Sequence, residues 1–181
     1  MSGSMDARVR IWSLEDGSCL HELEGHSQLV GLLGFNDGQL VTAAADCALK
    51  IWDTDRGACL RTLEGHMAPI TCFQHDSTKV ISGSEGALKL WDMKTGKFIR
   101  NLLTGLSSVW QVKFDERRCV AAVQRDDATL IEVLDYGIFG IEEPLENAPT
   151  LPQDEGRGAS PDTGRLHRLT LKAAAVTGGA I

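Results

Sequence analysis

The chain is short of positive charge, of long apolar runs and of paired cysteines, and each shortage removes a class of function. Lys and Arg number 18 against 25 Asp and Glu, a net charge of −7. That balance opposes the basic face a nucleic-acid binder needs. No run of about eighteen apolar residues occurs, so no helical membrane span is expected. The N-terminus, Met1-Ser-Gly-Ser-Met-Asp, has neither a basic stretch nor an apolar one, so no secretory signal is read there. Cys19, Cys47, Cys59, Cys72 and Cys119 contain no C-x-x-C and match no metal-ligand spacing. They read as small apolar side chains in a reducing compartment, nucleus or cytoplasm. No metal or cofactor is expected.

Proline is scarce where tryptophan is found. Pro144, Pro149, Pro152 and Pro161 lie in the last quarter, whereas Trp12, Trp52, Trp91 and Trp110 all precede it. The chain divides near Tyr136-Gly137 into a body, 1–137, and a tail, 138–181. The tail is poor in core formers and reads as flexible and disordered, because it has too little apolar surface to offset ordering entropy. Residues 166–176 would form at most a short helix, marginal by itself.

The body repeats. Ser2 to Trp12 aligns with Thr42 to Trp52 and with Ser82 to Trp91, at spacings of about 40 residues. Gly17, Gly57 and Gly96 each follow their Trp by five residues, and Gly25-His26 is matched by Gly65-His66. Between these marks apolar and polar residues alternate, as Val9 and Ile11 do with Arg8 and Arg10. Period two marks strands, and Asp-Gly and Thr-Gly pairs punctuate them as turns. A four-stranded unit of this size cannot cover both of its faces alone, and stacking of neighbours covers them.

Over residues 1–137 the chain resembles the WD-repeat family, with Trp52-Asp53 and Trp91-Asp92 as the literal dipeptides. The fold implied is all-β: an open arc of propeller blades, two complete and two partial, from the C-terminal part of a ring of about eight. The first blade is expected to hold strands near 7–13 and 18–23. The last is expected to hold 109–114, 119–123 and 129–135 and to lack its outer strand. The resemblance assigns His26, Thr42, Asp46 and Trp52 to a structural network in one blade, and His66, Ser82, Glu85 and Trp91 to its counterpart. In such a chain the buried indole N–H needs an acceptor, and a hydroxyl relays to the imidazole and on to a carboxylate. These sets recur once per blade, so they read as structure and not as catalytic triads. No catalytic set stands outside them, and no enzyme activity is expected.

Three stretches sharpen the likeness: Ser2–Trp12, Leu29–Asp46 and Val109–Asp135 with Cys119-Val-Ala-Ala-Val123 inside it. They resemble the cell-division-control type of F-box/WD-repeat protein, the substrate receptors of SCF ubiquitin ligases. That resemblance implies phosphorylated protein substrates as partners, and a Skp-type adaptor reached only through an F-box that these 181 residues do not contain. A generic WD-repeat scaffold shares every blade mark. Phosphate capture needs arginine forks. In this family they stand before the turn Asp or five residues after the His. Those places hold Met5, Ala45 and Ser84, then Gly31, Thr71 and Gln111; only Arg125, before Asp126, is basic. Trp110 is expected to pack in the core, as equivalents Val30 and Ile70 do.

Overall fold

The computed structural model describes residues 1–135 and 167–172, and within them the chain is all β. Four antiparallel sheets follow one another along the chain. The first holds β1 (Ser2–Gly3), β2 (Val9–Trp12) and β3 (Cys19–Leu23). The second holds β4 (Val30–Asn36), β5 (Gln39–Ala44), β6 (Leu49–Asp53) and β7 (Ala58–Leu63). The third holds β8 (Ile70–His75), β9 (Lys79–Ser84), β10 (Gly86–Asp92) and β11 (Phe98–Leu106). The fourth holds β12 (Ser108–Phe114), β13 (Arg118–Arg125), β14 (Ala128–Asp135) and β15 (His167–Lys172).

Strand alternation builds each sheet with two apolar faces, and successive sheets bury them in pairs. Val9, Ile11 and Leu23 of the first sheet meet Val30, Leu40, Ala44 and Trp52 of the second. Val41, Leu49, Ile51 and Leu63 meet Ile70, Val80 and Trp91. Ile81, Leu88 and Leu103 meet Val109, Val112, Cys119, Ala121 and Leu134. The core is therefore a stack of inter-sheet layers with no single centre, as expected of a repeat architecture. Asp37 and Gly38 both have positive φ, 49° and 73°, the geometry of a two-residue hairpin that joins strands without splaying them.

The innermost strands are stitched across the boundaries. Gln74 Nε2 donates to Phe114 O at 3.0 Å, and Phe114 N donates back to Gln74 Oε1 at 2.9 Å. Thr71 Oγ1 donates to Val109 O. His75 Nε2 donates to Gly34 O at 3.1 Å. Each satisfies a backbone group that two β8-type strands, standing side by side without pairing, would otherwise leave open.

Two differences from the sequence reading concern the ends. The first sheet has a two-residue stub of its second strand, β1, paired to β2 as Ser2↔Arg10 and Gly3↔Val9. The fourth sheet has an outer strand, and the tail supplies it: β15 pairs with β14 from Leu130↔Lys172 to Asp135↔His167. The sequence His-Arg-Leu-Thr-Leu-Lys alternates over only six residues, too few to recognise alone, and it becomes a strand because β14 offers an open ladder. The flexible tail expected over 138–181 is thus corrected at 167–172; its remaining residues lie outside the described ones.

Candidate functional site

The Gly-His turns and the β5–β6, β9–β10 and β13–β14 turns meet at one end of the arc. In the second sheet, Trp52 Nε1 donates to Thr42 Oγ1 at 2.8 Å, and Thr42 Oγ1 lies 2.8 Å from His26 Nε2. His26 Nδ1 lies 2.9 Å from Asp46 Oδ2. One proton arrangement satisfies all four. The indole fills one lone pair of the hydroxyl, the hydroxyl donates to Nε2, and Nδ1–H donates to the carboxylate. Asp46 also accepts from Ser27 N at 3.0 Å, which fixes the turn.

Burial lowers the pKa of His26 more than Asp46 raises it, so the ring is held neutral. Burial pulls Asp46 upward, yet the Ser27 amide, His26 and the Ala48 amide outweigh it and hold the carboxyl below its usual range. Gly25, at φ 147°, brings its backbone against the indole edge; a Cβ there would lie 3.5 Å from Trp52 Cη2.

The third sheet builds the same relay with a different terminus. Trp91 Nε1 donates to Ser82 Oγ at 2.8 Å, and Ser82 Oγ lies 2.7 Å from His66 Nε2. His66 Nδ1 lies 2.6 Å from Ser84 Oγ, and Ser84 Oγ donates to Glu85 O at 3.0 Å. The acceptor is therefore Ser84, not the carboxylate of Glu85 expected from the sequence. β9 runs on through Ser84, and Gly86 turns the chain at φ 92°. Ser84 consequently faces inward, whereas the Glu85 side chain is exposed. With no carboxylate opposite, burial pushes His66 down to about 4, and Lys89 adds to the shift.

Trp12 Nε1 donates to Ser2 Oγ at 2.9 Å. This pair was not singled out in the sequence, although its ten-residue spacing repeats that of Thr42 and Trp52. Thr42 and Ser82 are fully buried, so neither hydroxyl can meet a substrate. Among the described residues no three metal-ligating side chains cluster, and no helix is long and apolar enough to cross a membrane.

The fourth sheet carries no such relay. Leu106, Ala121 and Leu134 fill the His, Thr and Trp places, all buried. Strand pairing then relocates Arg125. Val123 pairs with Val109 as Ala44 pairs with Val30. Arg125, two residues on, therefore stands at the place of Asp46, one residue from where the sequence reading set it. Its Nη2 donates to Thr104 O at 3.1 Å and its Nε to Gly105 O at 3.4 Å. Its Nη1 lies 3.6 Å from Oε1 of Glu132, whose side chain is fully buried. Glu132 pairs with Ala121 as Lys50 pairs with Thr42 and Lys89 with Ser82. The last sheet thus reverses both charges of the second, Asp46 to Arg125 and Lys50 to Glu132. The guanidinium closes the turn that the His26–Asp46 link closes in the second sheet.

The same pairing corrects Trp110. It falls at the place of Gly31 and Thr71, because the β11–β12 connection is one residue shorter, and it is exposed. Gln111, assigned to that place by residue count, is displaced by one. A cleft at this end holds about 350 Å³ and is lined by Asp46, Lys50, Glu64 and His66 among others. Two acids beside one lysine and a neutral imidazole do not make a phosphate site.

The family model "WD domain, G-beta repeat" matches residues 17–53 and 57–92. "Cell division control protein 4" of Candida albicans is 50% identical over 141 residues, which cover 75% of this chain and 21% of that protein. The chain thus spans about a fifth of that relative. "Regulator of rDNA transcription protein 13" of Saccharomyces cerevisiae is 35% identical, with 75% of this chain and 85% of that one covered. Two solved structures of computationally designed proteins share the fold at 31% identity. Ika4 has a TM-score of 0.67, with 75% of this chain and 83% of that one covered. Ika8 has a TM-score of 0.66, with 74% and 41% covered. Stacked four-stranded sheets, the Trp–hydroxyl–His relay of the second and third sheets and these likenesses agree: the chain belongs to the WD-repeat family, in the company of the cell-division-control type of F-box/WD-repeat protein.

Proposed function

We propose that this chain is part of the substrate-recognition propeller of an SCF-type ubiquitin ligase, one that binds phosphorylated protein segments for ubiquitin-dependent degradation. The single observation that carries the reading is the 50% identity with Cell division control protein 4 of Candida albicans, sustained over 75% of the chain. In this reading a Skp-type adaptor is engaged through an F-box carried outside these residues. The setting is nucleus or cytoplasm, where the five cysteines stay reduced. The sheets here act as protein-interaction scaffold. Arg125, engaged with Glu132 and two carbonyls, holds the last turn, and phosphate capture falls to arginines of other blades.

A generic WD-repeat scaffold is the second reading. It is favoured by the relative named for rDNA transcription, 85% of which the chain covers, and by the lack of a basic side chain at the two family positions.

Residues 1–135 exchanged for the matching blades of the Candida protein test both. The chimera is expected to bind a phosphothreonine-proline peptide within about tenfold of the parent and to ignore the unphosphorylated one. A folded chimera without phosphopeptide binding overturns the receptor reading. Arg125→Ala in the chimera is expected to change affinity by less than about twofold, and a loss of tenfold or more would make Arg125 a phosphate contact after all.

A further inference from the structure

We propose that the end of the arc opposite the Gly-His turns carries a binding site for an arginine side chain of a partner protein. The site is a cleft of about 550 Å³, within the size range of small-ligand pockets. The β4–β5, β8–β9 and β12–β13 turns enclose it, with Asn36, His75, Asp115 and Glu116 in its walls. Those walls stand on the second, third and fourth sheets, across two boundaries that the chain itself fills.

An open acceptor on His75 is the first observation. The residue is 5% exposed. Its Nε2 donates to Gly34 O at 3.1 Å, and a Cβ at Gly34 would lie 3.2 Å from its Cδ2. That edge of the ring is committed to the second sheet. Nδ1 is the corner opposite. With the ring proton on Nε2 it holds a bare lone pair, and it has no hydrogen-bond partner. Buried polar atoms are nearly always paired, so an open one calls for a reason. Packing does not provide it. Phe35 and Phe114 hold the same place in the second and fourth sheets, and phenylalanine leaves nothing unpaired.

The next boundary shows what that acceptor lacks. Lys79 holds its ammonium 4.7 Å from the centre of the Phe114 ring and 2.6 Å from Asp76 Oδ2. One sheet back, Gln39 stands at the place of Lys79, His75 at that of Phe114 and Asn36 at that of Asp76. The cation is gone, and Gln39 Oε1 is a second buried acceptor without a partner. A donor from outside restores what Lys79 provides. Charge selects a cation. Lys79 is tied to Asp76, and Arg117 and Arg118 lie 3.2 and 3.7 Å from Asp135. The exposed carboxylates of Asp115 and Glu116 are left to line the cleft. A guanidinium suits it better than an ammonium. Its planar fork offers N–H groups to two acceptors at once, and its face stacks on a ring such as Phe114. The site needs neither phosphate nor F-box, so it stands apart from the receptor reading.

Fluorescence anisotropy of the full 181-residue chain with a labelled peptide of two arginines among glycines tests the proposal. Binding is expected at roughly 10–100 µM, with the lysine counterpart about tenfold weaker and the glutamate counterpart inert. His75→Phe copies the neighbouring sheets. It is expected to keep the strands, read by far-UV circular dichroism, and to weaken the arginine peptide about tenfold, the weight of one charge-assisted hydrogen bond. Glu116→Gln with Asp115→Asn is expected to weaken it at least about tenfold and to flatten its salt dependence. In nitrogen-15 NMR the Nδ1 signal of His75, assigned through the ring protons, should shift when the arginine peptide is added, because its lone pair gains a donor. No binding below about 1 mM overturns the proposal. So does a lysine or glutamate peptide that binds as well, full affinity in either variant, or an Nδ1 signal that stays in place. If His75→Phe unfolds, the carboxylate pair and the Nδ1 signal decide.

Discussion

Replacing Thr42 by Val tests the relay with almost no change of shape. The hydroxyl is the hub: Trp52 Nε1 donates to it at 2.8 Å, and His26 Nε2 lies 2.8 Å away. Valine leaves a donor and an acceptor without partners, in a place where Thr42 is 0%, Trp52 1% and His26 7% exposed. Each orphan costs about 1–3 kcal/mol, so the expected loss is about 2–6 kcal/mol, a large share of a typical domain's stability. The first sheet supplies the control. Ser2→Ala removes the same bond from Trp12, but water can take over that half-exposed indole N–H, so the cost should stay below about 1 kcal/mol. Urea titration followed by tryptophan fluorescence reads both, and 3 kcal/mol moves the midpoint by roughly 1–3 M. Trp52→Phe on top of Thr42→Val removes one orphan and should couple favourably by about 1 kcal/mol. Equal losses for Thr42→Val and Ser2→Ala, or a Thr42→Val loss under about 0.5 kcal/mol, would refute the argument that burial makes the relay matter.

Two further predictions concern packing and acid. Gly83→Ala would place a Cβ 2.5 Å from Val109 Cγ1 and 2.8 Å from Val109 Cβ; the third and fourth sheets must part, at a cost of roughly 1–3 kcal/mol or more, read as a lower midpoint in the same titration. His26 and His66 both have folded pKa values below the free value, so the unfolded chain binds more protons once pH drops below about 6.5. Stability should hold above that pH and fall steadily toward 4, the folded value of His66. Thermal melts at stepped pH check this, and a melting temperature unchanged between those limits would show that the rings are not buried neutral.

Much of this was legible in the residues, and the exceptions share a cause. Trp12, Trp52 and Trp91 with their glycines mark a repeat strong enough to place every sheet, because the marks are local and co-registered. His26, Thr42, Asp46 and Trp52 stand together for the same reason. Glu85, Arg125 and Trp110 were misplaced by one residue each. A tight connection can gain or lose a residue without changing composition, and only strand pairing reveals which. Ser84 then inherits the role given to Glu85, and Trp110 the place given to Gln111. Strand β15 escaped because its pattern is short and its partner lies far along the chain. Long-range pairing leaves no local signature.

That distance has a consequence for how the molecule is made. The second and third sheets are built from strands that follow one another directly, so each can assemble as it is synthesised. β14 ends at Asp135, and its partner begins only at His167. Translation at about 5–20 residues per second opens a delay of roughly 2–7 s. During that interval the ladder of β14 stands ready for any extended segment that arrives. Contacts so remote in sequence also form slowly once available. The last sheet is therefore the stage at which a nascent chain is most exposed to capture by a chaperone, or to pairing with the wrong strand.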